Sequence, residues 1–179
     1  MKFACLLSDG FEDTEALATV NLLRRTGIEI DLISVFNKKT VTGSNGTTVV
    51  PTKLMKKIDE AEYDGLIIPG GKHSFILRET ESVKNLVMQF YEQKKWLMAI
   101  CAAPTVFGMM GIMDGKNYVS FPGTEKDMGK AIRVNKKAVT DGKFITARSV
   151  GTVYDFVFEI IKTILGDEAL NKFKEKIVY

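Results

Sequence analysis

The chain has 179 residues, of which 45% are hydrophobic and 26% charged. That balance excludes wholesale disorder and fits one globular domain over residues 1–179. The net charge of +3 is carried by basic residues scattered along the chain, such as Arg24-Arg25 and Lys136-Lys137, so solvated faces are expected and a nucleic-acid groove is not.

Lys2–Ser8 is a short apolar run ending before Asp9-Gly10 and reads as a buried strand. Glu12–Thr26 has helical spacing, with Leu17, Val20, Leu22 and Leu23 on one side and Gly27 as its stop. Ile28–Phe36 alternates and predicts the next strand. Strand, helix and strand with short links form a βαβ unit, so the sheet should be largely parallel. Lys39–Val50 holds Thr-Gly-Ser-Asn-Gly between apolar ends and predicts a hairpin.

Tyr63–Pro69 is another strand, closed by Gly70-Gly71, and Ser82–Gln93 is an amphipathic helix. Trp96–Ile100 is a core strand running directly into Cys101, and Ala102–Met113 reads as an apolar helix. Ala131–Thr140 and Lys143–Thr146 read as strands around the Asp141-Gly142 turn. Gly151–Leu165 and Asp167–Lys176 close the chain as helices. The expected architecture is α/β, a central sheet with helices on both faces.

The run Phe3–Leu7 is shorter than a signal h-region of ~7–15 residues, and no stretch approaches the ~20 of a membrane span. Two cysteines, Cys5 and Cys101, are too few for a disulfide framework. One histidine, His73, and no CxxC pair make an all-protein His/Cys zinc site unexpected. A cytoplasmic, reducing setting with no metal and no membrane partner follows as the expectation.

Ligands of open parallel sheets bind beyond the carboxyl ends of the strands. Ser8-Asp9-Gly10, Pro69-Gly70-Gly71 and Ile100-Cys101-Ala102 all fall there. Cys101 sits at a strand-to-helix junction beside small residues, as a nucleophile on a sharp elbow would. The helix after it should favour the thiolate; the competing reading is a small buried core residue. Cys5, in mid-strand, reads as core.

Glu12, Asp13 and Glu15 crowd one first turn. Acids stabilise helix N-termini, but three exceed what a cap needs, and Glu15 could relay a proton to a facing thiolate. Gly70-Gly71 is either a plain turn or a place where backbone N–H groups approach an oxyanion. Gly71-Lys72-His73 lacks the Ser/Thr and the glycine spacing of a phosphate-binding Walker loop. His73 falls in an expected loop; it could reach the site, but an exposed polar role is the commoner one for such a residue.

Three motifs together resemble a known family: Gly10-Phe-Glu-Asp-Thr-Glu15, Asp64-Gly-Leu-Ile-Ile-Pro-Gly-Gly71 and Ala99-Ile-Cys-Ala-Ala-Pro-Thr105. They are similar to the ThiJ/PfpI superfamily, in the branch of the parkinsonism-associated deglycase and its small bacterial relatives. The segment Ile145–Thr152 resembles a further block of that family. The resemblance implies a flavodoxin-like three-layer sandwich, usually a homodimer. It implies Cys101 as nucleophile, Glu15 as its acid, and the N–H groups of Gly71 and Ala102 as an anion pocket. Gly70, Phe121, Arg148 and His73 are candidates for lining that pocket.

The implied activity is cofactor-independent: glyoxalase III or deglycase chemistry on small 2-oxoaldehydes such as methylglyoxal. The alternative is a redox-responsive stress protein with an oxidisable cysteine and little turnover. Two positions depart from the family pattern. Phe121 stands where many members carry histidine, and Asn45 where an arginine is found near the hairpin. Ala102 stands where the protease-like branch carries histidine, which argues against a Cys-His triad.

Overall fold

The computed structural model describes all residues from Met1 to Tyr179. In chain order it contains β1 (Lys2–Leu7), α1 (Asp13–Arg24), β2 (Glu29–Ser34), β3 (Val41–Thr42), β4 (Thr48–Val49), β5 (Lys53–Leu54) and β6 (Gly65–Ile68). There follow α2 (His73–Leu77), α3 (Glu81–Glu92), β7 (Trp96–Ile100), α4 (Pro104–Gly108), β8 (Asn117–Tyr118) and β9 (Ile132–Arg133). The chain ends with β10 (Ala138–Asp141), β11 (Phe144–Ala147), α5 (Val153–Leu165) and α6 (Asp167–Lys176).

Seven strands form one sheet in the order β10-β11-β7-β6-β1-β2-β5. Every pairing in it is parallel except β10 with β11. The sheet has two cores because strand side chains alternate between faces. Phe3, Cys5 and Leu7 of β1, with Met98 and Ile100 of β7, pack against α1, α5 and α6. Ala4 and Leu6 of β1, with Leu97 and Ala99 of β7, pack against α3 and α4 on the other face. The result is the flavodoxin-like sandwich expected from the sequence.

β1 lies between β2 and β6, so the chain leaves it first to one side and later to the other. This is the switch point of an open parallel sheet, where the loops diverge and leave a crevice at the strands' carboxyl ends. The ends of β1, β6, β7 and β11 all reach that edge.

Two expected elements differ. The apolar run Ala102–Met113 does not form one helix: Cys101–Ala103 is a turn, and α4 covers only Pro104–Gly108. Pro104 suits a first helical turn. At the end of α4, Gly108 packs on the backbone of Asp127 and Met128 with no room for a side chain, and beyond it Gly111 has φ +71°. Ala131–Thr140 is likewise not one strand. Its first part pairs in parallel with β8 as β9, and only its end joins the main sheet as β10. The hairpin expected over Lys39–Val50 is present as antiparallel β3 and β4.

Candidate active site

Cys101 follows β7 with φ +66°, in the left-handed region that non-glycine residues rarely adopt. Such a residue carries ~1–3 kcal/mol of strain and persists only where neighbours over-determine it. Here its N–H donates to the Ala147 carbonyl at 3.0 Å, and its carbonyl accepts from Phe121 N–H at 2.8 Å. The elbow is therefore clamped between the end of β11 and the segment around Phe121. The thiol is half-buried.

Glu15 enters from the first turn of α1 and is 1% exposed. Glu12 caps this helix, accepting the Glu15 N–H at 2.6 Å. Asp13 accepts N–H groups of Asn45 and Thr47, tying the β3–β4 hairpin to the helix. The three acids thus divide: Glu12 caps, Asp13 anchors, and Glu15 faces the elbow. Its Oε2 accepts the Gly70 N–H at 2.8 Å. A Cβ on Gly70 would collide with both the Glu15 carboxylate and the Cys101 side chain. The absence of a side chain there is what lets the acid and the sulfur meet.

The N–H groups of Gly71 and Ala102 donate to no backbone acceptor. That of Ala102 favours the ionised form of the adjacent Cys101 thiol. Ser149, just past β11, places its hydroxyl 3.9 Å from Sγ as a donor. Sequence reasoning missed Ser149. Its position at the end of a strand on the crevice edge was the available signal, within the block Ile145–Thr152.

Burial, then the Glu12 charge, pushes the Glu15 carboxyl up to about 7. Burial, then the Glu15 charge, pushes the Cys101 thiol up to about 12, against the Ser149 hydroxyl and the Ala102 N–H. Burial therefore works against the thiol depression expected from the following helix. α4 is a single short turn beginning only at Pro104, and the thiol is half-buried beside an acid.

The two groups titrate as a pair, so once one ionises the other keeps its proton. Burial and mutual charge taken alone would ionise Glu15 before Cys101. Against that order, Glu15 Oε1 is buried with no hydrogen-bond partner, which makes an ionised carboxylate costly there, whereas a thiolate has the Ser149 hydroxyl as a donor. This geometry favours the proton of the singly ionised pair on Glu15 and its charge on Cys101.

His73 is not exposed and does not line the pocket. It is 0% exposed, at the start of α2. Its Nε2 lies 2.8 Å from the Pro69 carbonyl, so this nitrogen carries the proton and donates. Nδ1 then accepts the Ser8 N–H at 3.3 Å. The ring joins the ends of β1 and β6 and thereby sets Gly70. Burial lowers its pKa to about 4.

Between that value and ~6.5 the unfolded chain binds a proton the folded one refuses, so stability falls as pH falls through this window, by about 3 kcal/mol. Urea unfolding of wild type and His73→Gln reads this directly. The stability advantage of wild type should shrink by about that amount between pH 7 and 4.

Phe121 stands at the rim, 46% exposed, and reaches the elbow through its backbone. Arg148 lines an adjoining cavity with Ser120 and Asn135 rather than touching Cys101.

A strained cysteine elbow, a buried acid and a glycine between them, on the switch-point edge of this sheet, can be compared with known proteins. The DJ-1/PfpI family model matches residues 1–163. The chain belongs to the DJ-1/PfpI family. It is 28% identical to a deglycase of Pyrococcus abyssi over 166 residues, 92% of this chain and 99% of that protein. It is 28% identical to protein dj-1beta of Drosophila melanogaster over 170 residues, 93% and 91% of the two chains. Among solved structures, a cysteine-to-alanine mutant of a DJ-1 superfamily protein from Salmonella typhimurium superposes with TM-score 0.93 at 28% identity, covering 99% and 98%. Drosophila DJ-1beta superposes with TM-score 0.91 at 26% identity, covering 99% and 97%.

Proposed function

We propose that this DJ-1/PfpI family member is a cofactor-independent glyoxalase III or deglycase-type enzyme acting on small 2-oxoaldehydes. The observation that carries the reading is the elbow: a half-buried Cys101, donors at Ser149 and Ala102, and the buried Glu15 beside it. The deglycase names of relatives agree with it.

The Cys101 thiolate adds to the aldehyde carbon of methylglyoxal, forming a carbon–sulfur bond. The carbonyl π pair becomes an oxyanion, received by the Gly71 and Ala102 N–H groups and protonated by Glu15. The Glu15 carboxylate then removes the hydrogen of the former aldehyde carbon as a proton. The resulting enediol is reprotonated at the neighbouring carbon, leaving a thioester. Water cleaves the thioester, releasing lactate and the thiol. One methylglyoxal and one water give one lactate, with no external oxidant or reductant. The test is lactate formation from methylglyoxal by the pure protein without added cofactor.

A second reading draws on Phe121, which supplies no proton-transferring ring at the elbow. In this reading Cys101 is an oxidisable sensor with little turnover. Thiolate character and access select a cysteine for peroxide. Cys5 is fully buried whereas Cys101 is half-buried, so access favours Cys101. Peptide mapping after graded peroxide should find sulfinate at Cys101 and an intact Cys5; preferential loss of Cys5 would refute it. Selective oxidation without lactate formation favours this reading over the first.

On family membership we further propose a homodimer in a cytoplasmic setting, checked by a sedimentation mass of twice the 19.9 kDa chain.

A further inference from the structure

Next to the segments that hold the elbow lies a cavity of about 400 Å³. Ser120, Pro122, Val134 and Asn135 line it together with two arginines, Arg133 and Arg148, and no acid faces in. Arg133 forms an ion pair with Glu125. Arg148 has no carboxylate partner but is firmly placed. Its N–H donates to the Lys137 carbonyl at 3.0 Å. Its Nη2 donates to Asn135 Oδ1 at 3.0 Å and to the Lys136 carbonyl at 3.1 Å.

All the acceptors on the Arg148 side chain are neutral and all use one nitrogen. Nε and Nη1 remain free for an incoming group. A guanidinium lining a concave site, with no carboxylate partner and its rotamer held by Asn135 and Lys136, has the properties of an oxyanion receptor.

The cavity and the elbow are built on the same two chain segments. Ser120 and Pro122 flank Phe121, whose N–H holds the Cys101 carbonyl. Arg148 precedes Ser149, whose hydroxyl faces Sγ.

We propose that this cavity binds the carboxylate or phosphate group of the substrate, so that the preferred substrates are anionic 2-oxoaldehydes whose aldehyde end meets Cys101. The substrate assignment rests on the function proposed above; the anion site itself does not. Arg148 is the main ligand, Arg133 the second, and methylglyoxal lacks the group they bind.

Calorimetric titration with inorganic phosphate at low ionic strength tests the site without any turnover. Wild type should bind one phosphate saturably. Arg148→Gln and Arg133→Gln, shown folded by thermal unfolding, should each weaken it about tenfold or more. Cys101→Ala should bind as wild type does. No saturable binding, unchanged binding in both arginine variants, or loss of binding in Cys101→Ala would overturn the site.

A kinetic arm separates a substrate's own tail from a free anion. Arg148→Gln should raise KM for methylglyoxal bearing a phosphate on its third carbon at least about tenfold more than KM for methylglyoxal itself. Equal changes would reduce the cavity to a free-anion site and overturn the substrate assignment. If neither aldehyde is turned over, the proposed function fails, and the phosphate titration alone decides whether the anion site stands.

Discussion

Replacing Cys101 by alanine should reduce lactate formation from methylglyoxal to the uncatalysed background, a loss on the order of a thousandfold or more. No other group in the site can take over the covalent step. Ser149 is a weaker nucleophile, and its hydroxyl is already placed as a donor towards sulfur. Cys5 lies fully buried within β1.

The same position separates chemistry from strain. Cys101 has φ +66°, and alanine retains the Cβ that makes this region unfavourable. Cys101→Gly removes it and should be more stable than Cys101→Ala by about 1 kcal/mol while equally inactive. Urea unfolding of the two variants measures the difference. Turnover that survives in Cys101→Ala would remove Cys101 from the mechanism.

Glu15 carries the second large effect. Its carboxyl is pushed up to about 7 by burial and by Glu12, from an ordinary value of 4.5. The sign is that of a raised acid. The folded chain holds a proton between these values that the unfolded chain has lost, so the contribution is fully present below 4.5 and disappears as pH rises through 7. The magnitude is about 3 kcal/mol. Glu15→Gln does not titrate and should therefore be more stable than wild type above pH 7 by about that amount, with little difference near pH 4.

The opposing slope from His73 covers much of the same window. Wild-type stability should thus be nearly flat between pH 4.5 and 6.5, whereas Glu15→Gln shows the His73 rise alone. Turnover in Glu15→Gln should fall by about 10²–10⁴-fold, the usual worth of a positioned proton carrier.

The alkylation profile of Cys101 locates the proton, with Cys5 replaced by alanine so that one thiol is read. If Glu15 Oε1 donates to the thiolate, Glu15→Leu removes that donor and the midpoint of iodoacetamide reactivity moves up. Glu15→Gln keeps an N–H donor and moves it less. A downward shift in Glu15→Leu would mean that the charge sits on Glu15 and repels the thiolate, and the proton assignment would be wrong.

Much of the fold is legible in local pattern. Trp96–Ile100 and Asp167–Lys176 are found at their expected bounds, and the hairpin at Lys39–Val50 is where its Gly-Ser-Asn-Gly turn puts it. Apolar runs and helical spacing report which face of each element must be buried, and that demand is local. The order of β1, α1 and β2 with short links was enough to require a parallel sheet, and a parallel sheet was enough to direct attention to the strand ends at Ser8-Asp9-Gly10, Gly70 and Cys101, with Glu15 on the helix after the first of them.

Only the tertiary structure decided the rest, because it depends on partners distant in sequence. The apolar run after Cys101 has helical spacing throughout, yet α4 stops at Gly108 against the backbone of Asp127 and Met128. His73 sits among polar and loop residues in the sequence, yet the ends of β1 and β6 enclose it and hydrogen-bond both its nitrogens. Ser149 and Arg148 stand out in the sequence only as part of the block Ile145–Thr152, which made Arg148 a candidate for lining the pocket but gave neither side chain its place. One faces the sulfur because β11 lies next to β7, and the other enters a cavity because Asn135 and Lys136 hold its guanidinium there. The sequence by itself determined which residues could do chemistry at the sheet edge. Burial, set by packing between distant segments, decided which of them face one another and where the proton between Glu15 and Cys101 resides.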